Sequence, residues 1–511
     1  MIETDVLIVG GGPSGLAAAT ELGRRGVHCV LVEPRPAVSL DRPRAKTTSV
    51  RTMEHFRRWG VAERIRAAAP LPVAWSQDVV FCAGLLGEEI VRFHKCFGLE
   101  PDRVELFAES GQQIPQPFVE RVLRAALTEL EPVTALYGWQ AETVAEHDDS
   151  VEVGLRGPAG ELTAARARYV LGCDGPAGVV RAAIGARYQG SSDTRSNLNV
   201  LFRAPGLAAL VPHGPAVHYW VLGPDLPGVV GRFDLDDTWW CGLSGLTGDP
   251  LPVVRKLIGA DLPIEVLSVD PWTARMLCAD RFASERIFLV GDAAHLNPPW
   301  GGHGFNTGVG DAVNIGWKLA AVLSGWAGQG LLASYAEERR HQAERTIAES
   351  AAHLRRAPGD LAGSPENIKQ HKESEFHSLG LVLGYHYAGS PIVSTEDTPT
   401  PAERVEHYEP SGRPGARLPH TWLPDGRSLY DTLGPDHTLL RLDPSADPAP
   451  FARAAAARHM PLAIVNLHRT PPAEPYGAPF VLVRPDQHIA WRGAPTEPGA
   501  VLDRSRGSRQ P

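Results

Sequence analysis

Short apolar runs alternate with segments of helical spacing through much of the chain, a pattern typical of an α/β fold. The run from Val6 to Val9 precedes an Ala-rich segment that ends at Gly26, and a second run follows over 27–32. Two further runs lie far along the chain, at 168–172 and 287–291. Runs without polar alternation indicate strands that are buried on both faces, so we predict a parallel sheet with helical crossovers.

A second pattern, alternation with a period of two, fills the stretches between these runs. The shorter stretch predicts strands at 79–82 and 89–93. The longer one predicts four strands, and these run over 198–203, 216–222, 229–234 and 238–243. Pro, Gly and Asp turns separate the four strands, so we predict a mixed sheet that lies over the first sheet.

Helical spacing returns after the last apolar run. It predicts helices over 306–323 and 331–355, followed by a Pro-rich hinge near 398–401. The remaining chain alternates strands (437–442, 462–467 and a hairpin over 480–491) with a helix over 451–459. We therefore expect three domains. The first comprises 1–71, 100–185 and 275–395, the second comprises 72–99 and 186–274, and the third comprises 403–511.

Composition narrows the class of protein. The chain has 511 residues, of which 43% are hydrophobic and 21% charged, as in globular enzymes of two or three domains. Its net charge of −9 argues against nucleic acid or an anionic membrane as a partner. No apolar run reaches the roughly 18 residues of a membrane span. The six cysteines lack metal-binding spacing and no signal segment precedes the first strand, so we expect a cytoplasmic protein without a metal site.

The first apolar run ends in a glycine-rich turn that suits a dinucleotide. Gly10 allows the turn, Gly12 lets the backbone approach a pyrophosphate, and Gly15 packs the next helix against the strand. The phosphates would lie at the N-terminus of that helix. An acid at the end of the second strand is placed to accept ribose hydroxyls. The residues predicted to bind the dinucleotide are Gly10, Gly12, Pro13, Ser14, Gly15 and Glu33.

Acidic residues follow the two later apolar runs. Asp174 lies in a Gly-Cys-Asp-Gly turn, and Asp292 ends the strand over 287–292. Ligands of open α/β sheets bind beyond the carboxyl ends of the strands, so only ligand hydroxyls would satisfy the Asp292 carboxylate. The glycine turn alone fits NAD or FAD, whereas the ribityl chain of FAD also explains Asp292. A generic nucleotide-binding sheet with ordinary acidic turns is the alternative.

The loop over 297–306 reads Asn-Pro-Pro-Trp-Gly-Gly-His-Gly-Phe-Asn. Its prolines fix the backbone, its glycines let the main chain approach a planar ring, and a helix begins where it ends. Free N–H groups and the positive end of the helix dipole would stabilise negative charge near N1 and O2 of a reduced flavin. The alternative is an ordinary Pro/Gly loop.

Together these stretches resemble the dinucleotide fingerprint, the DG motif and the GD motif of the class A FAD-dependent aromatic monooxygenases, in the same order. Residues 52–54, 82–89, 218–221 and 383–385 are similar to the phenol and 2,4-dichlorophenol hydroxylase branch, which includes natural-product tailoring hydroxylases. The resemblance implies the α/β fold of p-hydroxybenzoate hydroxylase. That fold has a Rossmann-like FAD-binding domain of the glutathione-reductase type, an interleaved β-sheet substrate domain and a C-terminal thioredoxin-like domain. No cysteine follows Cys278, so the last domain is interpreted as a scaffold or a homodimer surface.

The resemblance also implies the chemistry. FAD would bind non-covalently, NADPH or NADH would reduce it transiently, and O2 would supply one oxygen atom through a flavin C4a-hydroperoxide. The substrate would be a phenolic or polycyclic aromatic compound of natural-product biosynthesis or aromatic catabolism, which the protein positions and desolvates. Two alternatives stay open. One is Baeyer–Villiger-type oxygen insertion, and the other is a non-oxygenating FAD protein that binds a reactive intermediate.

Residue by residue, the resemblance extends the cofactor site. Arg44 matches the family's arginine that reaches the cofactor, although a solvated basic loop is the alternative, and Gln116 matches a glutamine at the ribityl chain. Pro299 would line the ring, and the backbone of 304–306 would contact the flavin edge. The residues added in this way are Arg44, Gln116, Asp174, Asp292, Pro299, Gly302, Gly304, Phe305 and Asn306.

Aromatic side chains on the predicted second sheet would form the substrate wall, although tryptophans on sheets commonly belong to the core. His303 departs from the family pattern and would either touch substrate or fill space. The sequence shows no Ser-His-Asp or metal constellation, and no catalytic side chain is assigned. The candidate substrate residues are His218, Trp220, Arg232, Trp239, Trp300 and His303.

Overall fold

A computed structural model gives the fold of the protein. It describes residues 1–40, 46–223, 227–245, 248–355, 364–396, 403–467, 476–494 and 496–508. Arg44 and the Pro-rich hinge at 398–401 lie outside the described residues. None of the described helices is both long and apolar enough to cross a membrane.

A seven-stranded sheet carries the glycine turn at its carboxyl edge. Its strands are β1 (Ile2–Val9), β2 (Cys29–Glu33), β7 (Val133–Tyr137), β8 (Gln140–Glu146), β9 (Val151–Arg156), β10 (Leu162–Gly172) and β16 (Ile287–Leu289). Strands β7, β2, β1, β10 and β16 run parallel, and β9 and β8 continue the sheet antiparallel beyond β10. The run from Val6 to Val9 is buried throughout, as its lack of polar alternation predicts.

Helices cover this sheet, and α1 (Pro13–Gly23) packs against α8 (His303–Leu323). Helix α8 begins three residues earlier than predicted, because Gly302 adopts a left-handed conformation (φ 69°) that ends the preceding loop. The other helices are α2 (Val50–Arg58), α3 (Ala62–Ala68), α4 (Gln116–Leu127), α5 (Val179–Ala183), α6 (Leu207–Leu210), α7 (Leu251–Ile258), α9 (Gly330–Arg355), α10 (Pro365–Phe376), α11 (Leu379–Leu383), α12 (Ala449–Ala456) and α13 (Pro498–Ser505).

The second sheet has eight strands in the order β17-β15-β11-β14-β13-β12-β4-β5. They are β4 (Val79–Cys82), β5 (Glu89–Phe93), β11 (Tyr188–Arg203), β12 (His218–Val221), β13 (Gly228–Arg232), β14 (Thr238–Ser244), β15 (Glu265–Ala279) and β17 (His295–Leu296). A separate two-stranded ribbon joins β3 (Thr47–Thr48) to β6 (Gln112–Gln113).

Strand β15 was not predicted, although it pairs with β11 along most of its length. Asp270 and Pro271 interrupt its apolar pattern. Proline is tolerated there because β17 pairs only with Leu277 and Cys278, which leaves the rest of β15 as an edge strand.

The C-terminal sheet has the order β19-β18-β20-β21, with β18 (His437–Arg441), β19 (Leu462–Asn466), β20 (Phe480–Val483) and β21 (Ile489–Gly493). Strands β18 and β19 are parallel and connected through α12, whereas β20 and β21 form an antiparallel hairpin that α13 follows. This strand order is that of a thioredoxin-like fold, as the family resemblance implies.

A buried ionic cluster joins the C-terminal sheet to α8 and α9. The Glu338 carboxylate of α9 accepts hydrogen bonds from Lys318 of α8 (2.7 Å) and from both terminal nitrogens of Arg484 (2.7 and 2.9 Å). Arg484 also pairs with Asp486 at 2.7 Å. Burial alone would raise the pKa of Glu338, but Arg484 and Lys318 outweigh it and hold the pKa below its usual range.

We expect Arg484→Met to destabilise the protein by about 3–5 kcal/mol, because it leaves the buried carboxylates of Glu338 and Asp486 without their main counter-charge. The urea midpoint followed by circular dichroism measures the change. The matched control is Arg427→Met, which breaks the exposed pair with Asp425 and should leave the urea midpoint nearly unchanged, because an exposed ion pair contributes little to stability. Equal losses in the two variants would contradict the prediction.

Candidate active site

A cleft of about 710 Å³ runs along the carboxyl ends of β1, β2 and β10 and reaches the second sheet. Its walls include the glycine turn over 10–14, the turn over 173–178 and the loop over 297–305. Three motifs that lie far apart in the sequence therefore meet around one cleft, and its volume suits a large organic ligand.

The glycine turn has the geometry that a pyrophosphate requires. Gly10 has a φ of 106°, and a Cβ there would lie 2.3 Å from the carbonyl oxygen of Cys173, so only glycine fits. A Cβ on Gly15 would lie 1.9 Å from the Gly10 carbonyl oxygen, which explains the close packing of α1. A Cβ on Gly12 would meet no described atom within 4 Å, because Gly12 borders the open cleft. No side chain in the described part of the chain caps α1, so its N-terminus is suited to an anion.

Glu33 and Gln116 line the cleft beside this turn. The Glu33 carboxylate accepts hydrogen bonds from the Gly11 N–H (2.7 Å) and from the backbone N–H and Nε of Arg35 (2.9 and 2.7 Å). Burial would raise the pKa of Glu33, but the bonds from Arg35 and Gly11 lower it overall, so the carboxylate is ionised. Gln116 begins α4 and donates to Glu120 at 2.8 Å, which fixes its amide at the cleft.

Asp174 is held by the helix that follows it. One carboxylate oxygen accepts the N–H of Val180 at the start of α5 (3.0 Å), and burial raises the pKa of the carboxyl group. The other oxygen is buried and has no hydrogen-bond partner among the described residues. A buried acceptor at the cleft wall fits a ligand that brings a hydroxyl or N–H group.

Asp292 also lines the cleft, but its setting differs from the expectation. Strand β16 ends at Leu289, and Asp292 lies in a single helical turn over Gly291–Ala293 with an exposed side chain. The prediction that Asp292 ends a buried strand, where only ligand hydroxyls satisfy its carboxylate, is therefore wrong. The hydroxyl of Tyr188 donates to the Asp292 carbonyl oxygen and fixes the turn.

The loop before α8 reaches the cleft through Pro299 and Gly302, and the first turn of α8 reaches it through Gly304 and Phe305. Asn306 is not among the described residues that line the cleft. Its amide donates to the carbonyls of Thr47 (3.0 Å) and Gly302 (2.7 Å), and its oxygen accepts the Ser49 N–H (2.9 Å). The Asn306 side chain thus fixes the loop against β3 rather than facing the cleft.

A buried charge cluster, which the sequence reasoning missed, supports the same loop. His295 Nε2 lies 2.7 Å from Asp311 of α8, and Asp311 also accepts from Arg339 Nε (2.7 Å) and the Gly291 N–H (3.1 Å). Burial would lower the pKa of His295, but the charge of Asp311 and its hydrogen bond outweigh burial and raise the pKa. Helical spacing in the sequence predicts that Asp311 lies on a helix, but only the folded structure shows which residues it contacts.

His303 is 5% exposed and borders both the cleft and two small cavities beside α2 and α9. Its Nε2 has no hydrogen-bond partner in the described structure. Burial, with a smaller effect of His353, lowers the pKa of His303 to about 4. The imidazole is therefore neutral at neutral pH.

Because the side chains of a strand alternate between the two faces of a sheet, the predicted substrate residues on the second sheet lie on its opposite faces. His218 and Trp220 lie on one face, where they pack against Phe376 (5.9 Å between ring centroids) and Phe81 (5.4 Å) in an aromatic core. Trp239 lies on the opposite face and is 1% exposed.

Arg232 lies on the same face as Trp239, 4.9 Å above its ring, and donates to the carbonyls of Asp234 and Asp236. The prediction that Arg232 and Trp239 line the cleft is therefore wrong, and His218 and Trp220 belong to the core between the sheet and α10.

The cleft wall on the second sheet is instead formed by Asn199, Asp270 and Trp272. They lie on paired positions of β11 and β15, since Asn199 is opposite Asp270. Trp300 packs edge-on against Trp272 at 6.0 Å and supports it from the loop. Asp270 and Trp272 were missed because β15 was not recognised, whereas Asn199 lies on a strand that was predicted without its cleft-facing residues being identified.

Lys46 lies against the same face of the second sheet as Asn199. Lys46 donates to the carbonyls of Val217 (3.3 Å) and Arg232 (3.1 Å) and lies 4.4 Å above the Trp240 ring, and burial lowers its pKa well below the usual value. Within the described ranges, no group of His, Cys, Asp and Glu residues could hold a metal ion.

Comparison with known proteins assigns the family. The family described as "FAD binding domain" matches residues 3–242 and 253–350, and the family "Aromatic-ring hydroxylase, C-terminal" matches 411–506. The fold and the cleft are those of a flavoprotein monooxygenase. The chain belongs to the FAD-dependent aromatic-ring hydroxylases, and FAD is its cofactor.

Named relatives agree with this assignment. The chain is 33% identical to aklavinone 12-hydroxylase DnrF of Streptomyces peucetius, over 92% of this chain and 99% of the relative. It is also similar to the solved structure of the rebeccamycin biosynthetic enzyme RebC with reduced flavin (35% identity, TM-score 0.90, 99% of both chains). A complex of aklavinone-11 hydroxylase with FAD and aklavinone matches with 28% identity and a TM-score of 0.86, over 99% of both chains.

The pKa of His303 predicts a pH dependence of stability. Between pH 6.5 and 4 the unfolded chain binds a proton at His303 that the folded protein does not bind, so stability falls with falling pH. The loss between pH 7 and 5 is about 2 kcal/mol for a folded pKa of about 4.

In His303→Gln the difference in unfolding free energy between pH 7 and 5 should therefore shrink by about this amount. Urea unfolding at the two pH values measures it. The exposed His28 provides the control, since His28→Gln removes an imidazole that is solvated in both states. An unchanged difference in His303→Gln would contradict a buried, neutral imidazole.

Proposed function

We propose that the protein uses NADPH or NADH and O2 to hydroxylate a phenolic or polycyclic aromatic substrate. The observation that carries the proposal is the continuity of the cleft, which runs from the glycine turn past the loop before α8 to Trp272 on the second sheet. We expect FAD to lie along this cleft with its ring beside the loop, and a flat aromatic compound to lie beyond the ring, toward Trp272.

The relatives support a polycyclic natural product as the substrate class. One similar solved structure is the complex of aklavinone-11 hydroxylase with FAD and aklavinone, and another is the rebeccamycin biosynthetic enzyme RebC. Both names point to large aromatic compounds of secondary metabolism. We therefore favour natural-product biosynthesis over the breakdown of simple phenols.

Each predicted cofactor residue has a proposed task. The turn over 10–15 and the N-terminus of α1 would hold the pyrophosphate, and Glu33 the adenosine ribose. Asp292 and Gln116 would hold the ribityl chain, and Asp174 would accept a hydrogen bond from the same ligand. These tasks rest on positions in the cleft wall.

The loop before α8 would hold the flavin ring, with the backbone of 302–305 and the helix N-terminus facing its pyrimidine edge. Bound FAD supplies the activation of dioxygen and the transfer of one oxygen atom. The side chains of the protein would bind and orient the aromatic compound and exclude water. The sequence contains no second dinucleotide turn, so the nicotinamide would bind transiently over the flavin.

Two other functions use the same cofactor site. Baeyer–Villiger-type insertion would place the oxygen atom between a carbonyl carbon and its neighbour. A non-oxygenating protein would bind a reactive intermediate and consume no NAD(P)H in response to it. The relatives named as hydroxylases favour ring hydroxylation over both.

Turnover under heavy-isotope dioxygen distinguishes the three functions. We expect a product that is heavier by one labelled oxygen atom, with the ring skeleton intact by mass spectrometry and NMR. A panel of phenols and polyketide aglycones, each assayed for stimulated NADPH and NADH oxidation, identifies the substrate for this test. A ring-opened or ring-expanded product, or no compound that stimulates oxidation, would overturn the proposal.

Asp292→Ala should lower the affinity for FAD, because it removes a carboxylate acceptor for the ribityl hydroxyls. Loss of one charge-assisted hydrogen bond costs about 1.5–3 kcal/mol, and the exposure of Asp292 places the effect near the lower, roughly tenfold, end of that range. Titration of the apoprotein with FAD, followed by flavin fluorescence, measures the affinity.

The control is His303→Ala. It should retain FAD, because the His303 side chain lines the same cleft but has no carboxylate that accepts hydrogen bonds from the ribityl hydroxyls. Wild-type affinity in Asp292→Ala would show that the ribityl chain lies elsewhere.

A further inference from the structure

Asn297 holds an unused pair of hydrogen-bond donors at the cleft wall. Its side-chain oxygen lies 3.3 Å from Nδ1 of His295, whereas its amide nitrogen is buried and has no hydrogen-bond partner among the described residues. Asn297 lines the cleft next to the two prolines of the loop. A buried N–H2 group without an acceptor costs free energy unless a ligand satisfies it.

The cluster behind Asn297 determines which way the amide points. Asp311 is ionised beside Arg339 and accepts from Nε2 of His295. The Asn297 oxygen lies 3.3 Å from Nδ1 of His295, so Nδ1 donates to it, and the raised pKa of His295 beside Asp311 agrees with a ring that carries a proton on both nitrogens. The only acceptor on the Asn297 side chain is its oxygen, so the oxygen faces His295 and the N–H2 group faces away from it.

The position of Asn297 indicates which ligand group it would meet. A Cβ on Gly304, in the first turn of α8, would lie 3.6 Å from the Cβ of Asn297. Asn297 is thus adjacent to the N-terminus of α8, whose first residues border the cleft and whose backbone N–H groups have no side-chain cap in the described part of the chain. The amide N–H2 group of Asn297 and the backbone N–H groups at the start of α8 would all favour an electron-rich oxygen or nitrogen of a ligand beside them.

We propose that Asn297, oriented by the chain Arg339–Asp311–His295, donates a hydrogen bond to the acceptor edge of the flavin ring. The proposal rests on FAD binding and not on the oxygen-insertion reaction. Asn297 is then a cofactor-tuning residue, because a donor at this edge stabilises the negative charge of reduced flavin more than it stabilises the neutral oxidised ring.

Asn297→Asp provides the sharpest test. The carboxylate keeps an acceptor for His295 and nearly the same shape, while it removes the donors from the cleft. We expect FAD to bind about tenfold more weakly, and reduced flavin to lose more affinity than oxidised flavin. The midpoint potential then becomes more negative, by about 30 mV for each tenfold difference between the two forms. Fluorescence titration of the apoprotein and equilibrium dye reduction of the FAD-loaded protein, both without substrate, measure these changes.

The matched control is Asn199→Asp, which adds the same charge to the opposite wall of the cleft, on β11. It should change the FAD affinity and the potential much less, since it removes no donor beside α8. The thermal midpoint of each apoprotein shows whether the variant folds, and Asn297→Leu, which lacks charge and donors, should also weaken FAD binding.

Three outcomes would overturn the proposal. Equal shifts in Asn297→Asp and Asn199→Asp would mean that only the added charge acts. Unchanged affinity and potential in Asn297→Asp would mean that the amide does not meet the flavin. A loss of substrate affinity with unchanged FAD binding would assign the donor to the substrate instead. If ring hydroxylation itself were wrong, the substrate-free measurements would still test Asn297.

Discussion

The Glu338 carboxylate is the interaction on which the arrangement of the molecule depends. It binds Lys318 of α8, Arg484 beyond β20 and the hydroxyl of Ser390, and the two cations are fully buried with it. Displacing either cation would destabilise the folded protein, because each counter-charge lost from a buried carboxylate costs several kcal/mol. Helices α8 and α9 and the C-terminal sheet are therefore held in one arrangement.

Helix α8 transmits this constraint to the cleft. Lys318, in the middle of α8, pairs with Glu338 of α9, and Asp311, in the first half of α8, accepts the N–H of Gly291 ahead of the loop. The N-terminus of α8 borders the cleft. Donors at the cleft are then positioned before any ligand arrives. Electrostatic stabilisation is strongest when the donors need no reorganisation, so a helix fixed along its length suits this task.

The sequence predicts the parts of this structure that depend on local geometry. The glycine turn follows from steric limits on the residues themselves, as the 2.3 Å approach at Gly10 shows. The side of a strand that faces the cleft depends on register, and a one-residue change reverses it. This is why Trp239 was placed on the wrong face and why Asn199, on a predicted strand, was not named. Trp272 was missed because β15 itself was not predicted. The task of Arg44 stays a prediction.

Two histidines, His218 in the core between the second sheet and α10 and His303 at the cleft, limit how the protein can act on a substrate. Burial lowers the pKa of His218 to about 3, with Lys46 and Lys372 adding to the effect, and lowers the pKa of His303 to about 4. Neither imidazole exchanges protons near neutral pH, where general acid–base catalysis would need a pKa close to 7. The contribution of these side chains is consequently shape and hydrogen bonding. This agrees with an enzyme whose reactive group is its cofactor and whose side chains position the ring and the aromatic compound beside it.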